Sequence, residues 1–411
     1  MSVLQPVRGT QDLLPDEARR HRAVEETFCC LAGLYGFGEI ATPIIEFTEV
    51  FRRTLGETSD IVTKEMYALM SRGESLTLRP EGTSSVARAF LSNGLHHALP
   101  LKVFYRGPMF RRERPQKGRL RQFHQVGIEL LGVENPLADA EVIAFAAHFL
   151  TELGLAGMVT LELNSLGDSA SRAVYRAALL DYLEQQADRL SVESRNRLER
   201  NPLRILDSKD KSDQAIIADA PPLTDFLNQP SRSFLDQVCT FLHELGLKPV
   251  VNPCLVRGLD YYCHTTFEFT TTALGTQGTV LAGGRYDGLI QQMGGSAIAG
   301  IGWAAGVERL AMLYAGGPAV PRAVAIITVG AAAEHRALSL AQDLRKAGVR
   351  VDLGYAGSLA KRLKRAHKIR ARAAVIVGDD ELAQGMATVR DLDSGTQVEV
   401  PFTRLTAYLQ L

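Results

Sequence analysis

The chain has 411 residues, and its 46 basic side chains are balanced by 46 acidic ones. That balance excludes a general polyanion binder, so any contact with nucleic acid must come from local patches. About two or three domains are expected at this length. Cys29, Cys30, Cys239, Cys254 and Cys263 are odd in number and contain no CxxC pair, so neither a disulfide framework nor a thiolate zinc site is indicated. The N-terminal stretch is charged where a signal peptide needs an apolar core, and the best membrane-span candidate, Ala297–Tyr314, contains Glu308 and Arg309. A soluble, cytoplasmic protein with no membrane partner is the expectation.

In chain order, residues 6–13 form a turn-rich entry. A helix is expected from Pro15 to about Leu34, with acids in its first turn. Residues 39–51 are β-rich with Pro43 inside, which confines them to a sheet edge or a dimer seam. Leu76–Leu78 reads as a strand ending in Pro80-Glu81-Gly82-Thr83, with a helix over Ser84–Ser92. There Glu81 is either a helix cap or, with Thr83, an acceptor for a ligand ammonium group.

Phe104–Leu131 is expected to be two strands joined by a loop carrying Arg111, Arg112, Arg114, Lys117, Arg119 and Arg121. Alternation puts Phe123, Gln125, Gly127 and Glu129 on one face of the second strand, and His124, Val126, Ile128 and Leu130 on the other. An aromatic plate, an amide, a gap at Gly127 and a carboxylate beside clustered guanidinium groups suit a polar, anionic ligand. A solvated hairpin with a basic tip fits that segment equally well. After a helix at Asp139–Leu153 and a strand at Thr160–Asn164, residues 169–246 turn polar and helical, with no visible chemistry. Arg257 lies between apolar residues, where burial needs an accompanying anion. The tandem glycines Gly283-Gly284 allow backbone to come close to a ligand, and Gly300-x-Gly302 leads into a helix bearing Arg309.

From Arg322 the rhythm is βαβαβ, with strands at Ala323–Val329, Val349–Leu353 and Ala373–Val377 and helices at about 331–347 and 358–370. Gly316-Gly317-Pro318 is the linker. Residues 361–372, KRLKRAHKIRAR, are strongly basic and contain no acid, the local footprint a nucleic acid would want.

TLRPEGT (77–83), the arginine hairpin and the glycine-arginine helix together resemble the signature motifs of class II aminoacyl-tRNA synthetases. RGLDYY (257–262) and AGGRYDGL (282–289) resemble the histidyl-tRNA synthetase family in particular, and the likeness extends over nearly the whole chain. It implies an α+β catalytic domain on an antiparallel sheet over residues 1–318, with a helical insertion at about 169–246, and a C-terminal α/β anticodon-binding domain over 322–411. The implied activity is ATP-dependent joining of L-histidine to tRNA(His), through histidyl-adenylate, by a homodimer.

The resemblance also implies roles. Arg111 and Arg257 would be catalytic, Arg257 standing where relatives use a metal ion. Glu81, Thr83, Gln125, Glu129, Arg257, Tyr261 and Tyr262 would bind histidine, with Glu129 and Tyr262 meeting the two ring nitrogens. Arg111, Glu113, Arg119, Phe123 and Arg309 would bind ATP, whose adenine lies between Phe123 and Arg309. Magnesium would accompany ATP without a protein cage of its own. Gln116, Lys361, Arg362, Lys364, Arg365 and Lys368 would contact tRNA. Arg112 and Cys263-His264 depart from the usual family residues. A histidine-sensing regulatory paralogue and a nucleic-acid-sensing module are the competing readings; both usually lack parts of this set.

Overall fold

Strand Leu101–Phe110 pairs antiparallel with Gln122–Leu131, in register from Leu101 opposite Leu131 to Phe110 opposite Gln122. This expected hairpin is the spine of an eight-stranded sheet in the first of two units, residues 1–317 and 318–411. The computed structural model describes residues 3–56, 59–198, 200–256, 261–275, 278–317 and 321–410. Beyond Gln122–Leu131 the sheet continues through Gly300–Gly306, Thr279–Arg285, Cys263–Thr270 and Thr160–Ser165. These neighbours are antiparallel, and only the short edge strands Gly38–Glu39 and Val250–Val251 add in parallel.

The two faces of this sheet differ because their residues alternate. One face sends Val126, Ile128, Leu130, Ile301 and Trp303 into a core with Phe28, Phe104, Phe145 and Phe149. Trp303 satisfies its indole N–H on the Val142 carbonyl at 3.1 Å. On the other face Gly302, Ala304 and Gly306 lie opposite Glu129, Gly127 and Gln125, and Ala282 and Gly284 lie opposite Ala304 and Gly302. Small residues on neighbouring strands leave a trough beside polar ones. Here the structure revises the reading of the tandem glycines. A Cβ on Gly283 would stand 2.2 Å from the Gly302 carbonyl, and one on Gly284 2.6 Å from that of Thr265. What those glycines admit is adjacent protein backbone, not a ligand.

Arg285, of the same motif, is wholly buried. It donates from Nε and Nη2 to Asp139, which is equally buried, and from Nη1 to the Val133 carbonyl at 2.9 Å and Asp287 at 3.1 Å. All three guanidinium nitrogens are bonded, two of them to the Asp139 carboxylate, which is what makes such burial tolerable. Asp139→Ala leaves the guanidinium buried without its partner, and is expected to cost about 3–5 kcal/mol of stability in denaturant unfolding.

Residues 39–51 are only partly extended. Ile45–Phe47 is an edge strand of a three-stranded sheet with Glu74–Leu78 and Tyr67–Ser71, and a helix already begins at Thr48. Burial of Phe51 and Leu55, four residues apart on one helical face, overrides the strand propensity of Val50 and Phe51. The insertion folds as the helices Ser169–Glu184, Val192–Leu198, Lys211–Ile217 and Gln229–Glu244 with short 3-10 turns between them.

In the second unit the parallel strands Val324–Thr328, Val351–Leu353 and Ala373–Val377 appear as the rhythm indicated. Two antiparallel strands, Met386–Asp391 and Gln397–Pro401, extend the sheet beyond it, so it is mixed. Pro318 of the expected linker lies outside the described residues. Among the described residues no helix is long and apolar enough to cross a membrane.

Candidate active site

A single cavity of about 1120 Å³ lies over the small-residue face of the sheet. Arg111, Glu113, Arg119, Phe123 and Arg309 border it, as do Glu81, Thr83, Gln125, Tyr261 and Tyr262. Residues expected to bind two different substrates therefore share one chamber. Arg257 and its neighbours Gly258, Leu259 and Asp260 lie outside the described residues.

At the hairpin end, Arg111 donates Nε to the Pro80 carbonyl at 2.9 Å, and its guanidinium lies over the Phe123 ring, 5.3 Å from the centroid. Arg119 pairs with Glu113 at 3.2 Å, while Arg121 fastens the hairpin loop to the N-terminal entry by donating to the Arg8 carbonyl at 3.1 Å. Arg112 is spent on the Lys64 carbonyl, so it braces the loop rather than the chamber. Gln116 sits exposed in the tight turn at the tip, its backbone paired with that of Arg119.

Arg309 projects from the first turn of the helix Val307–Leu313, and its Nε and Nη2 are buried without a hydrogen-bond partner among the described residues. Burial, and then the neighbouring guanidinium of Arg119, lower its proton affinity. Two cations side by side in a chamber, one of them with unused donors, await an anion.

Glu81 serves as a helix cap. Its oxygens accept the Thr83 and Ser84 main-chain N–H groups, each at 2.8 Å. This fixes the carboxylate against the chamber and leaves lone pairs over. Thr83 donates its hydroxyl hydrogen to Glu129 at 2.7 Å, which leaves the oxygen free to act as an acceptor. Gln125 is buried, and its Oε1 has no partner among the described residues.

Glu129 is not on the chamber wall. It is fully buried behind Thr83, Gly302 and Tyr286, and the Tyr286 hydroxyl donates to its second oxygen. A Cβ at Gly302 would collide with that carboxylate, 2.0 Å away. Burial raises the Glu129 pKa to about 8 against the lowering effect of both hydroxyls. The Tyr261 and Tyr262 rings stand 4.5 Å apart, and Tyr261 is 5.7 Å from Tyr286. Gly127, expected as a gap for the ligand, is covered by protein: a Cβ there would lie 2.5 Å from the Tyr105 hydroxyl.

Sequence reasoning missed Tyr105 and Tyr286. The available signal was a tyrosine in each motif whose hydroxyl needs a partner when buried. It also missed the insertion's part in the chamber, since Arg197, Arg204 and Lys209 line its wall and Arg197 meets Asp60 at 3.4 Å. In the second unit, Arg362 is corrected. Its guanidinium turns inward, 9% exposed, to the Gly357 and Thr328 carbonyls at 2.9 and 2.8 Å. Helical periodicity carries it to the buried face with Ala366, while Lys361, Lys364 and Lys368 stay exposed. Arg365 is exposed too, but pairs with Asp352 at 2.9 Å.

The family profile for histidyl-tRNA synthetase matches residues 9–310, and one for an anticodon-binding domain matches residues 323–410. A histidine–tRNA ligase of Rhodospirillum rubrum is 61% identical over 411 residues, covering 100% of this chain and 99% of that one. The chain belongs to the histidyl-tRNA synthetase family. A second ligase of that name, from Gluconacetobacter diazotrophicus, is 55% identical over 410 residues. The apo histidyl-tRNA synthetase of S. aureus is 34% identical, superimposes with a TM-score of 0.82, and is covered completely, as is this chain. A Bacillus halodurans structure described as an ATP phosphoribosyltransferase regulatory subunit/histidyl-tRNA synthetase is 21% identical with a TM-score of 0.66, a likeness of fold alone. As a histidyl-tRNA synthetase the chain is an ATP-dependent aminoacyl-tRNA ligase.

Proposed function

We propose that the chamber activates L-histidine with the following division of labour. A carboxylate oxygen of the substrate attacks the α-phosphorus of ATP; a new O–P bond forms, giving a mixed carboxylic–phosphoric anhydride, as the bond to pyrophosphate breaks, and pyrophosphate leaves with the electron pair. The 3′-terminal hydroxyl of tRNA(His) then attacks the activated carbonyl and AMP departs. In the first step two anions meet, so cations must neutralise charge in the transition state. Arg111 holds the α-phosphate and the substrate carboxylate, and Arg257 would supply the second guanidinium to them. Arg119, kept in place by Glu113, reaches the outer phosphates.

The base stacks on the Phe123 face away from Arg111 and is covered by Arg309, an arrangement suited to a planar guanidinium. Glu81, Thr83 and Gln125 take the histidine ammonium, while Tyr262 meets the ring with Tyr261 packing beside it; Glu129, behind the wall, acts through the Thr83 and Tyr286 hydroxyls it holds. Magnesium accompanies ATP. The carboxylates of Glu113 and Glu268 on the chamber wall are hard oxygen donors of the kind it takes, and bound there it would neutralise outer phosphate charge.

The observation that carries this reading is the pair of buried groups facing one chamber that have no partner among the described residues: the Arg309 donors, which suit an anion, and the Gln125 oxygen, which suits a donor such as an ammonium. The test is histidine-dependent exchange of pyrophosphate into ATP by the purified protein. Arg257→Ala is expected to abolish exchange while histidine binding remains measurable by calorimetry. An intact wild-type protein that binds histidine yet gives no exchange would favour the regulatory reading.

Gln116 at the hairpin tip would approach the acceptor end of tRNA, and Lys361, Lys364, Arg365 and Lys368 would face its phosphates. A homodimer is supported by one exposed apolar sheet face, where Ile45, Phe47 and Leu69 are 51%, 54% and 47% exposed beside the Pro43 edge. A cytoplasmic location suits such an enzyme. A purified protein that runs as a monomer and fails to retain tRNA(His) would remove both partner assignments.

A further inference from the structure

Three elements bring together His21, His124 and Glu308; the two histidines lie off the chamber wall, whereas Glu308 borders it. The sheet ladder between Gln122–Leu131 and Gly300–Gly306 ends at Gln125 opposite Gly306, because Val307 begins a helix. The next main-chain N–H on the first strand, that of His124, has therefore lost its strand partner. Glu308 replaces it. Its buried carboxylate accepts that N–H at 2.9 and 3.0 Å, and Oε1 also takes the Nδ1 hydrogen of the same histidine at 2.9 Å. The bond to Glu308 outweighs burial and raises the proton affinity of His124, which keeps Nδ1 a donor. His21 closes the group edge-on, 6.1 Å from the His124 ring, with its own proton affinity lowered first by burial.

Each end of this clip adjoins a residue of the chamber, and Glu308 itself borders it. His124 follows Phe123, and strand alternation sends the two side chains to opposite faces. Glu308 precedes Arg309 on the helix. The clip therefore joins the backbone that carries the aromatic plate to the backbone that carries its guanidinium cover. We propose that Glu308 and His124 are positioning residues for ATP, setting the gap between Phe123 and Arg309 without touching the nucleotide. This rests on the adenine-stacking reading given above. The ligand atoms of the three side chains also lie within 4.8 Å of one another, a spacing a metal could bridge. Glu308 and His124 are already bonded to each other, however, so a metal would have to break the clip.

The test is calorimetric binding of ATP and, separately, of histidine to the full-length enzyme and its variants, with a thermal melt of each. Glu308→Ala is expected to weaken ATP binding about tenfold or more while histidine affinity stays within about twofold. Glu308→Gln, whose amide oxygen still accepts the main-chain N–H, is expected to recover affinity to within about threefold of wild type. His124→Ala keeps the main-chain bond and loses only the ring bond, so a loss of about two- to threefold for ATP alone is expected. Equal weakening of both ligands in step with a lower melting temperature would make the clip a general packing contact and overturn the proposal. So would unchanged ATP affinity in every folded variant. If Glu308→Ala does not fold, the ATP-against-histidine split in His124→Ala and Glu308→Gln decides. Wild-type enzyme that binds histidine but not ATP would instead refute the stacking reading.

Discussion

Arg111→Ala is expected to lower the rate of histidine-dependent pyrophosphate exchange by about 10²–10³-fold, the usual consequence of losing one preorganised donor at developing charge. The expectation comes from how the side chain is held. The bond from Nε to the Pro80 carbonyl and the seat over the Phe123 ring fix the guanidinium before any ligand arrives, so no reorganisation is needed during the reaction. Arg111→Lys should recover little, because an ammonium reproduces neither the planar fork nor the contact with the ring. The fall should appear mainly in kcat, since the interaction strengthens as the attacking carboxylate and the α-phosphate come together. Exchange within about tenfold of wild type in Arg111→Ala would remove the residue from its assigned role.

The part of the site legible in the sequence was the part that obeys local periodicity. A strand that alternates Phe123, Gln125 and Glu129 with His124, Val126 and Ile128 declares two unlike faces, and arginines at one end of it declare an anion. What stayed hidden depended on partners far away in the chain. Tyr286 meets Glu129 across 157 residues, and no spacing rule links them. Gly127 and Gly283 read as room for a ligand, yet the space they leave is filled by the Tyr105 ring and by neighbouring backbone. For the same reason Arg362 looked like one more charge on a basic helix. Its place in the helical period turns it toward the buried carbonyl of Thr328, and no count of charges reveals which face is covered. The insertion had no motif at all, and its contribution is a wall position rather than a reacting group.

Glu129 joins recognition to a cost in stability, and Glu129→Gln is expected to separate the two. An exposed glutamate titrates near 4.5, whereas burial lifts this one to about 8. Between those values the folded protein holds a proton that the unfolded chain has released. Stability contributed by the neutral acid is thus complete below the lower value and is lost progressively as pH rises toward 8. The amide variant does not titrate, so its unfolding free energy should gain on wild type by a few kcal/mol between pH 5 and pH 9. Recognition should move the other way. The carboxylate accepts hydrogens from Thr83 and Tyr286, and an amide offers one oxygen where two were used, while its nitrogen is set against a hydroxyl hydrogen. A fall in kcat/KM for histidine of about 10²–10³-fold is expected, with KM for ATP little changed. Urea unfolding at several pH values and steady-state exchange give the two readouts independently. A variant that loses stability with pH as steeply as wild type would show that Glu129 is not the buried acid responsible. One that keeps its kcat/KM would show that Glu129 takes no part, even through Thr83 and Tyr286, in recognising the substrate.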